Sequence, residues 1–196
     1  MSHAKQHMEL LSSYMDEIET ELFRLSRPYD EVIKRISRIA GFTERSALFV
    51  ISEIGADMGV FESDKHLCSW AGLTPANNES ANKKKSTRCS KAGQYLKPLL
   101  IQCALAAVKS RKNPYYAIKY NRLAKRRGRK KAIIAIARMM LTSIYHMILN
   151  NEEWKPDDYE AIIHPSKPEK VALTLDNVIQ FLGEQGADPE TLKLLQ

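Results

Sequence analysis

Apolar residues recur at helical intervals along most of the chain. Met8, Leu11, Met15, Ile18, Leu22 and Leu25 keep the spacings of three and four that make a heptad seam, and Pro28 stops it. With Leu11, Ile18 and Leu25 at d positions, Glu19 and Glu21 fall at e and g. Like charges there disfavour a parallel pairing of the segment with itself. An antiparallel or mixed pairing satisfies the pattern, and so does one amphipathic helix lying on its own domain. The spacing resumes through Tyr29, Val32, Ile36 and Ile39, and breaks at Ala40-Gly41-Phe42-Thr43. It returns over 44–55 with Ala47, Leu48, Val50, Ile51 and Ile54. Helix, tight glycine turn and helix outline a helix-hairpin-helix, a unit that offers backbone N–H groups at a helix start to DNA phosphates. Gly41 and Thr43 occupy the two turn positions and are candidate phosphate contacts, against the plainer alternative of a structural turn.

Ser63 is placed to cap a short helix over 64–71, which Gly72-Leu73-Thr74-Pro75 closes. Residues 76–92 show no apolar period and predict a long loop or short β-ribbon rich in hydroxyls and cations. Gly93 is expected to open a helix that is strongly apolar over 99–108. Asn113-Pro114 starts the next one. That helix sets Lys119, Arg122 and Arg126 on one stripe among Tyr115, Tyr116 and Tyr120, at least two of these tyrosines being expected in the core. Gly128 separates it from a long apolar helix over 130–149. Arg138, Thr142, Ser143, Tyr145 and His146 interrupt that apolar run, which fits a buried helix better than a membrane span, with His146 read as a core histidine. From Asn150 the chain is acidic and punctuated by Pro156, Pro165 and Pro168, with short helices expected over 175–182 and 189–195. The pattern predicts an all-α, mostly helical protein. Its parts are a coiled-coil-like linker helix over 1–35, a domain over 36–150 and an acidic extension over 151–196. The domain combines the helix-hairpin-helix-like unit, the basic loop or ribbon and a helical core.

Charge sharpens this picture. The 196 residues carry a net charge of +7, but residues 83–131 hold seventeen Lys or Arg and no Asp or Glu. The flanks are acidic, at −2 over 1–36, −3 over 37–82 and −6 over 152–196. Surface helices normally mix signs to relieve self-repulsion, so the basic stretch reads as a polyanion site, best matched by a nucleic-acid backbone. An anionic membrane surface is the weaker rival, because the neighbouring apolar helix looks like core.

Little conventional chemistry is visible. Cys68, Cys89 and Cys103 form no CxxC pair, and a reducing cytoplasm suits them. His3, His7, His66, His146 and His164 show no metal-ligand spacing, and no phosphate-binding glycine loop, HExxH or GxSxG is present. Asp57, Glu62 and Asp64 are explained by surface or capping roles. The remaining option is a hydroxyl nucleophile among Ser80, Ser86, Thr87 and Ser90, which sit in or beside the basic loop. A serine attacking a phosphodiester needs its proton removed and the developing charge neutralised. The surrounding cations meet the second need, and nothing local meets the first.

Three stretches carry a resemblance. The first runs from Ile39-Ala40-Gly41-Phe42-Thr43 through Glu53-Ile54-Gly55-Ala56-Asp57 to Leu67-Cys68-Ser69-Trp70-Ala71-Gly72-Leu73-Thr74-Pro75. The second is Glu79-Ser80-Ala81 followed by Ser90-Lys91-Ala92-Gly93-Gln94-Tyr95-Leu96-Lys97. The third is Arg127-Gly128-Arg129-Lys130-Lys131 and the apolar helix behind it. In this order and spacing they resemble the C-terminal, serine-bearing domain of the IS110/IS116/IS902 insertion-sequence transposases. The resemblance implies a DNA recombinase in which a serine, here Ser80, forms a covalent phosphoserine link to cleaved DNA. It also implies a structured guide RNA, and a separate RuvC-like domain whose acidic residues hold a divalent metal such as Mg. Ala81 stands where the family usually has glycine, and Ala40 and Thr43 where proline and glycine are typical. The upstream residues resemble the helical linker alone, so a truncated or excised transposase is expected, with no cofactor of its own. In this reading Lys83, Lys84, Lys85, Arg88, Lys91 and Lys97 neutralise phosphates near Ser80. Arg122, Lys125, Arg126, Arg127, Arg129, Lys130 and Lys131 hold DNA or guide RNA. The N-terminal helix makes a homo-oligomer, and no membrane is involved. The alternatives are a non-catalytic nucleic-acid-binding module, and an interaction protein whose seam oligomerises while the acidic tail recruits a partner or folds over the basic surface.

Overall fold

A computed structural model describes residues 2–75, 78–80, 83–86, 89 and 92–165. Arg88, Lys91 and the helices expected over 175–182 and 189–195 lie outside the described residues. The elements run α1 (Ser2–Ser26), a 3-10 turn (Arg27–Tyr29), α2 (Asp30–Ser37), α3 (Glu44–Ile54), a second 3-10 turn (Met58–Val60), α4 (Asp64–Trp70), β1 (Asn78–Ser80), β2 (Lys83–Ser86), α5 (Leu96–Lys109), α6 (Tyr115–Arg127), α7 (Arg129–Leu149) and α8 (Tyr159–Ile163). Among the described residues the protein is all-α apart from one short antiparallel ribbon. Its compact body extends past residue 150 to Ile163, and the chain from His164 forms a second unit.

α7 is the central helix and packs against α4, α5 and α6. By length and composition it could cross a membrane. Its stripe of Ala132, Ile136, Met140 and Ile144, with Ala137, Leu141 and Tyr145 beside it, is instead buried among the other helices. Leu67, Leu96 and Leu100 meet it from α4 and α5, each fully buried, a burial that stabilises by about 1.5–3 kcal/mol per side chain. Its opposite edge remains open and carries Arg138, Thr142, Ser143 and His146 in succession. His146 is therefore exposed, its ring edge-on to Tyr145 with centroids 5.3 Å apart, and is no core histidine. The apolar run alone could not say which face of the helix would be covered.

Local signals place the helix ends. Thr43 caps α3: its Oγ1 accepts from the Ser46 N–H at 3.2 Å, while the Ser46 Oγ accepts from the Thr43 N–H at 2.8 Å. The Ser63 side chain accepts from the His66 N–H at 3.2 Å and starts α4. That helix ends with Gly72 at φ +68°, the Gly72 N–H bonding the Ser69 carbonyl and the Leu73 N–H the Cys68 carbonyl. This is a Schellman closure, with Leu73 buried behind it. Asn113 Oδ1 accepts from the Tyr115 N–H at the start of α6. Gly93 does not begin α5, which starts three residues later. It holds φ +67° so that its backbone can lie on Ala71, whose carbonyl oxygen would be 2.3 Å from a Cβ.

α1 is attached to the body only near its end. Leu22 and Phe23 pack on the core, and Arg45 of α3 pairs with Glu19 at 3.4 Å. Met8, Leu11, Met15, Ile18 and Leu25 are between 47% and 69% exposed. The seam is thus not the buried face of a helix lying on its own domain.

Candidate nucleic-acid interface

α6 ends in Lys125-Arg126-Arg127 and α7 begins in Arg129-Lys130-Lys131, with Gly128 between them at φ +82°. The glycine lets the chain reverse tightly, which brings six cations to one end of the helical hairpin. All six are exposed, and none has a carboxylate partner among the described residues. At the C-terminus of α6 the cations complement the helix dipole. At the N-terminus of α7 they oppose it, and neither a side-chain cap nor a first-turn acid relieves them. Such placements cost a few tenths to about 1 kcal/mol each. The sequence therefore accepts a local penalty that an arriving anion would reverse.

Beside this end lies a cleft of about 500 Å³. Leu73, Leu123, Ala132, Ile134 and Ala135 supply its apolar lining. Arg126, Arg127, Lys131 and Arg138 supply the charge, and Pro75 and Cys89 close it on the ribbon side. Pro75 and Cys89 form an isolated antiparallel bridge, so the ribbon is rooted at the cleft. Within the ribbon Ser80 pairs with Lys83, Glu79 with Lys84 and Asn78 with Ser86. A second groove of about 460 Å³ shares Leu123, Ala135 and Arg138 with the cleft. This groove follows the open edge of α7 to Thr142 and Ser143.

The structure thus gathers Arg126, Arg127 and Lys131 around one cleft, and sets Arg122, Lys125, Arg129 and Lys130 on the exposed surface beside it. Lys83, Lys84 and Lys85 lie on β2 with Ser80 on β1, and Lys97 lies in the first turn of α5. Gly41 and Thr43 belong to another place. At φ +90°, a Cβ on Gly41 would stand 2.2 Å from the Cys103 carbonyl oxygen of α5. Close helix packing therefore explains this glycine, as capping explains Thr43. Lys119 also leaves the predicted stripe: its Nζ pairs with Asp158 at 2.6 Å and sits 4.7 Å over the Tyr115 ring. Arg138 is the cleft residue that sequence reasoning missed. Its signal is that it is the only Lys or Arg between residues 132 and 151, seven positions from Lys131 and so on the same side of the helix.

Other chemistry is quiet. Asp57 caps the Gly59 N–H at 2.8 Å, the capping role expected of it, whereas Asp64 accepts from the Thr142 hydroxyl of α7 at 3.3 Å, a tertiary contact rather than a surface or capping role. Among the described residues no group of three or more His, Cys, Asp or Glu is placed to hold a metal ion. Burial pushes the Cys68 and Cys103 thiols up, more than their hydroxyl and backbone contacts lower them, which keeps both protonated and unreactive.

At the far end of the α6–α7 hairpin, Tyr115 and Tyr116 are buried against the half-buried Trp154 and Tyr159. The Tyr115 hydroxyl donates to Asp158 at 2.7 Å and Trp154 Nε1 to the Tyr116 hydroxyl at 3.1 Å. Burial raises the pKa of both tyrosines, with the Asp158 carboxylate adding to the effect at Tyr115. The two are core residues, as the sequence predicts.

No curated protein matches the chain. Residues 33–121, from α2 through the Ser80 ribbon into α6, match the family model described as Transposase IS116/IS110/IS902 family, so over this stretch the chain is similar to that transposase family.

Proposed function

We propose that this chain is the DNA-holding, serine-bearing part of a transposase, with Ser80 as the nucleophile and the cleft at the α6–α7 turn as the phosphate site. One observation carries the reading: the strand bearing Ser80 is rooted, through Pro75 and Cys89, at a cleft walled by Arg126, Arg127, Lys131 and Arg138. In the proposed step the Ser80 Oγ bonds to phosphorus as one DNA phosphodiester P–O bond breaks. The hydroxyl proton passes to a base, and the departing DNA oxygen is released as a hydroxyl. Pairing on the ribbon sets Lys83 opposite Ser80, and Lys83–Lys85, Arg88, Lys91 and Lys97 neutralise charge around the phosphorus. The described residues offer no group of His, Cys, Asp or Glu to hold a metal, and in this reading a RuvC-like domain supplies the base and any metal.

Arg122, Lys125, Arg129 and Lys130 extend the phosphate track for DNA or a structured guide RNA. The exposed seam of α1 pairs with a second copy of the chain, antiparallel because of Glu19 and Glu21. The chain binds nucleic acid as a cytoplasmic protein that needs no membrane. The test supplies the RuvC-like domain and looks for a covalent protein–DNA adduct. Ser80→Ala is expected to abolish it. An adduct that survives moves the nucleophile to Ser86 or Ser90, and no adduct under any reconstitution leaves a binding module without chemistry.

A further inference from the structure

The exposed aromatic rings of the described residues fall into two groups. Tyr14, Tyr29 and Phe49 lie on α1, in the turn after it, or in the groove that α1 makes with α3. The other two, Trp70 and Tyr95, stand at the two feet of the ribbon. Trp70 closes α4, after which the chain runs through Gly72 and Pro75 into β1. Tyr95 immediately precedes α5, on the segment returning from β2. The feet touch, since the Gly93 backbone rests on the Ala71 carbonyl. Trp70 is 43% exposed and Tyr95 70% exposed. Phe61 meets the Trp70 ring edge-on at 5.8 Å and 62°, which steadies it while leaving much of it open.

Single exposed aromatics need no explanation. Two that flank a ribbon bearing Lys83, Lys84 and Lys85, within a stretch of seventeen cations beginning at Lys83, make a more specific arrangement. Unpaired nucleic acid presents two chemistries at once, a line of phosphates and a series of flat base faces. Proteins that hold it combine cations for the first with aromatic rings for the second. A closed duplex hides its base faces and gives such rings nothing to stack on. We propose that Trp70 and Tyr95 are a stacking platform for unpaired bases, in a strand whose phosphates are held by the ribbon lysines. The platform would select opened over paired nucleic acid beside Ser80. This inference rests on the polyanion reading of the basic stretch and goes beyond it by naming the ligand's strandedness.

The experiment uses the full chain with Trp154→Phe, which leaves Trp70 as the only tryptophan. Oligothymidylate, its duplex with oligodeoxyadenylate, and inorganic polyphosphate are titrated in turn, with emission and anisotropy both recorded. Oligothymidylate is expected to quench Trp70 at saturation, whereas polyphosphate binds without quenching. Tyr95→Ala removes a ring outside the core and should weaken oligothymidylate about tenfold, leaving duplex and polyphosphate affinity unchanged. If oligothymidylate binds with Trp70 emission unaltered and Tyr95→Ala has no effect, the platform is refuted while the cationic site stands. Failure of all three probes to bind overturns both.

Discussion

The two ends of the α6–α7 hairpin are built from similar residue types and do opposite things with them. At the end holding Tyr115 and Leu149, cations are partnered: Lys119 with Asp158, and Arg35 and Arg38 of α2 with Glu153. Those carboxylates come from the segment after α7, and they tie it to the body together with Trp154 and Tyr159. At the Gly128 end six cations stand within seven residues without a carboxylate, three of them against a helix dipole. The comparison teaches that charge count alone does not mark a binding site. What marks it is cation density that the fold leaves uncompensated.

Substitutions can break or sharpen this contrast. The largest effect is expected from Arg126→Gln, Arg127→Gln and Lys131→Gln together, which should lower duplex affinity by several hundredfold at 0.1 M salt, on the order of one decade per lost phosphate contact. Arg35→Gln with Arg38→Gln, the same chemistry at the compensated end, should leave affinity within about twofold, because those guanidiniums serve Glu153. Equal losses from both sets in fluorescence anisotropy would erase the distinction. Next is Gly41→Ala, which forces a Cβ onto the Cys103 carbonyl at positive φ. It should cost about 3 kcal/mol in urea unfolding. Gly128→Ala meets open space and should cost about 2 kcal/mol for its backbone at φ +82°, ψ 157°. The smallest effect concerns Asp158. Burial pushes its carboxyl up, but the Lys119 and Tyr115 hydrogen bonds outweigh this and hold it below the ordinary 3.8. A depressed carboxylate stabilises the fold above pH 3.8 and loses that contribution as pH falls through the lower, folded value. Because the pair is partly exposed, the loss should be about 1 kcal/mol or less. It should be read in Trp154 fluorescence and be absent in Asp158→Asn.

Much of this contrast was legible in the chain before any coordinates. Short-range rules located α3, α4, the α6–α7 break and the ribbon, because a cap, a glycine or a lost period acts within a few residues. The basic stretch was legible for the same reason, being contiguous. What could not be read depends on which surfaces meet. Trp154 and Tyr159 sit in a segment without periodicity and are half-buried against the core only by contact with Tyr115 and Tyr116. Lys119 shares a stripe with Arg122 and Arg126, yet the arrival of Asp158 turns it to structural use. His146 and Arg138 both interrupt an apolar helix, and only the placement of α4, α5 and α6 decides that they lie along its open edge. Gly41 looks like a DNA-binding turn from its neighbours, and its requirement for glycine comes from α5, more than sixty residues away.

The central claim is that the Gly128 end is a site for phosphates rather than a solvated basic surface. Its most direct test is the slope of log affinity against log salt for duplex DNA, with the native chain compared with the Arg126, Arg127 and Lys131 triple variant. Each phosphate contact contributes about 0.9 to that slope, so the account predicts that the triple variant is shallower by about 2.7. Parallel lines for the two proteins would contradict it and place the nucleic acid elsewhere on the molecule.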